Sequence, residues 1–157
     1  MRRKKEYFDT VPEAPAPVIA TVFHRVKFSE VDALGIAWHG HCPSFFEEAH
    51  TILMEHVGLG YAEYRKHGIG APIVQFHADY YSPLLLDETV EIRAELKYNE
   101  GARINVEYQI FHADGQLAIG GYTVQMFFNQ EGHEPYLIDP NIYSECKKRW
   151  RAGEFNE

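Results

Sequence analysis

Residues 32–50 read DALGIAWHGHCPSFFEEAH, and the rest of the 157-residue chain can be placed relative to them. From Phe45 onward the apolar residues Phe45, Phe46, Ala49, Ile52, Leu53 and Val57 recur at helical spacing, opposed by Glu47, Glu48, Thr51 and Glu55. Gly58 and Gly60 mark the end of that pattern. Pro43 fits only in a first helical turn, where a missing N–H is harmless, so the exposed amides fall near residues 39–42. The stretch therefore predicts one long amphipathic helix, entered through a loop rich in titratable groups.

Upstream, Ile19 to Phe28 alternates with β-branched and aromatic residues and predicts a strand that delivers Asp32 to the loop. Downstream, four more strands are predicted at Ile73–Tyr81, Thr89–Tyr98, Arg103–His112 and Gln116–Asn129. The last three are joined by Asn-Glu-Gly-Ala and Asp-Gly connections, the second a strong hairpin signal, so they form an antiparallel meander. Gly120 and Gly121 within the last strand suggest a bulge. Residues 64–72, YRKHGIGAP, read as a polar connection, with Gly68 and Gly70 in a turn. Residues 141–151 place Ile142, Cys146, Arg149 and Trp150 at helical spacing, a short C-terminal helix.

One long helix beside antiparallel strands implies an α+β fold with the sheet wrapped around the helix. The helix covers one face only. Tyr80, Tyr81, Tyr108, Tyr122, Phe127 and Phe128 are left for the other face and the edges, which predicts pairing with a second subunit. Residues 1–17, with Arg2, Arg3, Lys4, Lys5 and PEAPAP, read as a flexible tail; 18–157 forms a single domain.

A formal net charge of −8 disfavours broad attraction to nucleic acid or an anionic membrane. No apolar run approaches the ~18 residues of a membrane span. Two cysteines, Cys42 and Cys146, form no CxxC pair, and no signal-peptide pattern opens the sequence, so a cytoplasmic setting is expected.

The loop and helix start can do acyl-transfer chemistry. Free amides and the helix dipole can polarise a carbonyl oxygen, while a loop carboxylate attacks the carbonyl carbon or activates water. Taken alone, Asp32 reads as readily as a turn or capping carboxylate. Cys42 near the histidines offers a thiolate nucleophile as an alternative. His39, His41, Cys42 and Asp32 lack the paired spacing of zinc sites, so no metal is expected. His41 and His50 read as structural or solvent-facing, and Glu47 as support for the helix.

The segment resembles the signature of the 4-hydroxybenzoyl-CoA thioesterase family, hotdog-fold acyl-CoA thioesterases, at Asp32, Ala33, Gly35, Trp38, His39 and Phe46-Glu47. GIGAPIVQFHADYYSPLLLDETVEI, residues 68–92, is similar to that family's second strand and its Tyr-x-x-Pro turn, here Tyr80 and Pro83. The resemblance covers roughly residues 21–140. It implies hydrolysis of an aryl- or fatty-acyl-CoA, with Asp32 as nucleophile or general base. The His39 backbone N–H would polarise the thioester carbonyl, with its imidazole assisting. Trp38, Gly35, Phe46, His77 and Arg103 would contact substrate, His77 from a partner subunit. It further implies a homodimer or homotetramer with no cofactor, coenzyme A being part of the substrate. The hairpin lacks the basic run that grips coenzyme A phosphates in some members: Asn99, Glu100, Gly101 and Ala102 stand before Arg103, leaving Arg103 or Lys147, Lys148 and Arg149 for that role. A noncatalytic acyl-CoA-binding protein of the same fold is the alternative.

Overall fold

The computed structural model describes residues 5–156; Arg2, Arg3 and Lys4 of the basic run, and Glu157, lie outside the described residues. Strands β1 (Val18–Arg25), β3 (Ile73–Tyr80), β4 (Thr89–Lys97), β5 (Arg103–Phe111) and β6 (Leu117–Met126) form one antiparallel sheet in the order β1-β4-β5-β6-β3. Helix α1 (Cys42–His56) packs across its concave face, against β1 and β4 in particular. This is the helix-in-sheet α+β arrangement that the apolar stripe predicts.

The alternation of β1 turns Val18, Ala20, Val22 and His24 inward, while Ile19 and Phe23 face out. Cys42, Phe45, Phe46, Ala49, Leu53 and Met54 supply the buried stripe of α1. Each large side chain among them contributes about 1.5–3 kcal/mol on burial. Pro43 sits in the first turn as expected. The strand predicted through Phe28 stops at Arg25, and Phe28–Glu30 instead makes a 3-10 turn that swings the chain toward Asp32.

The glycine pair in β6 is no bulge. Register with both neighbours runs unbroken through Gly120 and Gly121. The glycines serve close approach on the two faces. A Cβ on Gly121 would strike the Phe46 ring and the His77 carbonyl inside the sheet, whereas one on Gly120 would meet Tyr7 Oη at 3.1 Å outside. Register shifts lie instead at Val74 on the edge strand, between β3 and β6, and at Ala118 of β6, opposite Ile110 and Phe111 of β5.

A second helix and a small second sheet were not expected. Helix α2 (Tyr61–His67), capped by Gly68 at φ +65°, occupies the polar connection. Strands β2 (Ile69–Gly70), β7 (Phe128–Asn129) and β8 (Glu134–Pro135) form a separate small sheet. Helix α3 (Asn141–Arg151) is present, but its buried residues are Tyr143, Cys146, Lys147 and Trp150, with Arg149 outside.

The segment read as a spacer makes specific contacts. Tyr7 Oη donates to Asp79 at 2.7 Å, Phe8 sets its ring edge on Tyr122, and Trp150 Nε1 donates to the Ala16 carbonyl at 2.7 Å. Tyr108 and Phe127, expected at a subunit contact, are buried within the single chain. Among the described residues no helix is long and apolar enough to cross a membrane.

Candidate active site

Asp32 opens a tight turn between two short bridged limbs, Val31 with Ala37 and Ile36 with Leu85. Its carboxylate accepts the Leu34 amide at 2.8 Å, and its own amide donates to the Ile36 carbonyl at 2.9 Å. Gly35 takes φ +75°, the left-handed conformation that closes the turn. One carboxylate oxygen thus fixes the rotamer while the group stays at the surface.

The chain then runs through Trp38 into a 3-10 turn, His39–His41, that feeds α1. His41 N–H donates to the Trp38 carbonyl, while the amides of His39 and Gly40 meet no protein acceptor among the described residues. Gly40 is required there, since a Cβ would overlap the Trp38 indole folded across it. Tyr80 Oη, from the end of β3, donates to the His39 carbonyl at 3.1 Å and pins the turn.

Asp32 and His39 line one open cavity of about 380 Å³, with Trp38, Cys42, Tyr80 and Ile119 among its walls. Asp32 and the residues that open the helix therefore line a common space. Burial pushes the Cys42 thiol up to about 11, partly offset by a hydrogen bond with Tyr80, which counts against the thiolate alternative. Among the described residues no cluster of three or more His, Cys, Asp or Glu is placed to hold a metal ion.

The other expected contacts are dispersed. Trp38 borders the cavity, half exposed at 49%. Gly35 shapes the turn without lining the cavity, and Phe46 faces a second cavity, stacked on Tyr108 at 4.3 Å. His77 lies on the outer sheet face, stacked on Tyr122 and 3.0 Å from Asp79, so within one chain it does not reach the cavity. Arg103 begins β5 at the end remote from Ile119, whose neighbour on that strand is Ile110. Seven residues of strand, roughly 23 Å, separate the two ends. Lys147 is buried, held by Asp139 at 2.9 Å and the Gly101 carbonyl at 3.0 Å, and Arg149 pairs with Glu154 at 2.7 Å. Both are structural ties.

One group behind the loop escaped the sequence reading. His24, 8% exposed, sets Nε2 2.8 Å from Glu30 and Nδ1 2.8 Å from Glu48. Glu30 also accepts the Lys27 amide at 2.7 Å, and its carbonyl accepts the Trp38 amide at 2.9 Å. A carboxylate thus lies beside each nitrogen of the ring. β1, the Asp32 loop and α1 are joined through it. The available signal was the period of β1, which turns His24 inward with Val18, Ala20 and Val22.

The helix-in-sheet fold with a carboxylate loop at the helix start defines a class. Residues 26–145 match the family model described as the thioesterase-like superfamily, and the chain belongs to that superfamily. The acyl-CoA thioester hydrolase YbgC of Escherichia coli O6:H1 is 22% identical over 124 residues, 79% of this chain and 92% of that one. The structure of DHNA-CoA thioesterase from Staphylococcus aureus superposes with a TM-score of 0.76 at 24% identity, over 87% of this chain and 93% of that one. A second Staphylococcus aureus protein, solved in complex with CoA, gives a TM-score of 0.74 at 16% identity over 91% and 89%. The fold is the hotdog fold.

Proposed function

We propose that this protein is an acyl-CoA thioesterase, of the kind typified by the 4-hydroxybenzoyl-CoA enzymes, that cleaves a thioester to free acid and coenzyme A. The observation that supports the reading is that Asp32 and His39, whose amide meets no protein acceptor among the described residues, line one cavity. Relatives named as acyl-CoA hydrolases, and a neighbour solved with CoA, support the substrate class.

The chemistry has two forms. Asp32 attacks the carbonyl carbon, the C–S bond breaks to release the thiolate of coenzyme A, and water hydrolyses the resulting anhydride; or Asp32 takes a proton from water as its oxygen attacks. In both, the carbonyl oxygen gains negative charge, and the His39 N–H at the start of α1 stabilises it. The hydrogen bond from Leu34 keeps one Asp32 oxygen oriented. On this reading no resident cofactor is used.

The same reading includes a homodimer. β3 is an edge strand with Ile73, Val74, Phe76 and Tyr80 exposed, which invites a second copy. Antiparallel pairing of Gln75–Tyr80 with itself sets the start of β3 in one chain beside its end in the other. The deciding experiment is a panel of aryl-, short-, medium- and long-chain acyl-CoAs with wild type and Asp32→Asn. Turnover by wild type, lost in the variant, is the expected result; binding without turnover at any chain length makes the protein a noncatalytic acyl-CoA carrier.

A further inference from the structure

The turn that follows β3 carries a cluster that thioester cleavage by Asp32 does not use. Ser82, half-buried, lines the same cavity of about 380 Å³ as Asp32 and His39. Its Oγ lies 2.6 Å from His112 Nε2, and Nδ1 of that ring is hydrogen-bonded to Glu88 Oε1. Hydroxyl, imidazole and carboxylate therefore stand in the order of a nucleophile, its base and the group that orients the base.

Each member is held from its own segment. The Ser82 amide donates to the Ala118 carbonyl at 3.2 Å, and the His112 amide donates to the Gln116 carbonyl at 2.9 Å across the β5–β6 hairpin. Glu88 accepts the Leu85 amide at 3.0 Å on its second carboxylate oxygen. The His112 and Glu88 side chains are 14% and 18% exposed, so most of the relay is shielded from water. In the neutral ring, a carboxylate at Nδ1 takes the hydrogen of that nitrogen and leaves the Nε2 lone pair for the Ser82 hydroxyl. A tie between two loops needs a single bond to the ring. Here both nitrogens are engaged, and the chain of bonds ends on a residue of the cavity wall.

The cavity also offers what such a nucleophile requires. His39, whose amide meets no protein acceptor among the described residues, lines it and supplies a donor for a carbonyl oxygen that gains charge. Ile36, Phe45, Leu84 and Ile119 give apolar walls, and Asp32 among the lining residues opposes an anionic acyl group. The volume is near the small end for ligand sites, enough for one ring or a short chain.

We propose that Ser82, His112 and Glu88 form a second hydrolytic centre, with Ser82 the nucleophile for small, uncharged oxygen esters. Ser82 Oγ bonds to the carbonyl carbon as its proton passes to His112 Nε2; the bond from that carbon to the alcohol oxygen then breaks, and the leaving oxygen takes the proton. Water attacks the acyl-serine and gives a proton to Nε2, and Ser82 Oγ recovers it as the acid departs. Glu88 is a positioning residue. The route through Asp32 releases a weakly basic thiolate, which leaves without a proton, whereas an alkoxide needs one and His112 provides it. Thioester cleavage thus stays with Asp32, and the serine centre does not depend on that carboxylate.

The test is an alkyl fluorophosphonate, which phosphonylates activated hydroxyls, mapped by tandem mass spectrometry on the folded protein. One phosphonyl group should form on Ser82 in wild type and in Asp32→Asn alike, and labelling should slow by about tenfold or more in His112→Gln and in Glu88→Gln. In parallel, Asp32→Asn should turn over phenyl butanoate, and adding Ser82→Ala to it should lower that turnover at least about a hundredfold. An unlabelled Ser82, labelling undiminished in both relay variants, no ester turnover in Asp32→Asn, or turnover that survives loss of the Ser82 hydroxyl overturns the proposal. Absence of acyl-CoA turnover in wild type refutes the thioesterase reading instead and leaves the label and the ester to decide Ser82. Should the Ser82→Ala protein not fold, labelling of wild type decides the matter.

Discussion

His24 Nε2 sits 2.8 Å from Glu30 Oε1, so a strand residue holds the turn from which the Asp32 loop departs. Burial opposes the charge on Glu30, but hydrogen bonds from His24 and the Lys27 amide, with their positive fields, keep its carboxyl below the ordinary 4.5. A carboxyl lowered in the folded state contributes stability that is present above its unfolded value and is lost as pH falls through the folded one. Thermal melts should therefore show wild type above Glu30→Gln at pH 6–7, with the gap closing as pH drops below about 4.5. The neutral-pH gap should be about 1–3 kcal/mol, the usual range for a hydrogen bond to a charged group. A pH-independent gap would show that Glu30 acts by packing alone.

Asp32→Asn should lower kcat on any thioester turned over by wild type by at least about a hundredfold, the lower end for loss of a positioned acid–base group. The amide oxygen can still accept from Leu34, so the turn and the assembly should survive, as gel filtration and circular dichroism would register.

Cys42 should be inert. With its thiol raised to about 11, iodoacetamide at pH 8 should modify it far more slowly than a free cysteine, read by mass spectrometry on the folded protein. Rapid labelling with parallel loss of activity would restore the thiolate mechanism.

Gly121→Ala should cost about 1–3 kcal/mol, measured by urea denaturation, because its Cβ would meet the backbone carbonyl of His77 and the packed Phe46 ring. Gly120→Ala should cost less, since the atom in its way is the far end of Tyr7. The contrast tests the assignment of the two faces.

The β3-paired dimer proposed above predicts that Val74→Lys, on the exposed edge strand, gives a monomer in light scattering, with turnover falling alongside. A dimer that persists would locate the subunit contact elsewhere.

The sequence made α1, the main strands and the position of Asp32 legible because each rests on a long periodic pattern or on turn chemistry. Helix α2 was hidden because Tyr64 is its one buried residue and Arg65, Lys66 and His67 give it a polar surface. Strands β2, β7 and β8 have two residues each, too few for any period to show. Arg103 and His77 were carried to the site by resemblance, and their placement depends on register and sheet face. His50 was read as structural or solvent-facing. Its partner Tyr108 comes from β5, and local spacing does not reveal that meeting. Gly120 and Gly121 read as a bulge but serve close approach instead, since absence of a side chain looks the same for both.

The contacts described above, Tyr7 on Asp79 and Phe8 on Tyr122, lay this segment over the outer side of β3 and β6. That part of the outer face is thereby already roofed by the molecule's own residues. Any back-to-back stacking of dimers would have to peel this roof away or build it into the joint, so trimming the first sixteen residues should alter how many subunits associate before it alters what each one catalyses.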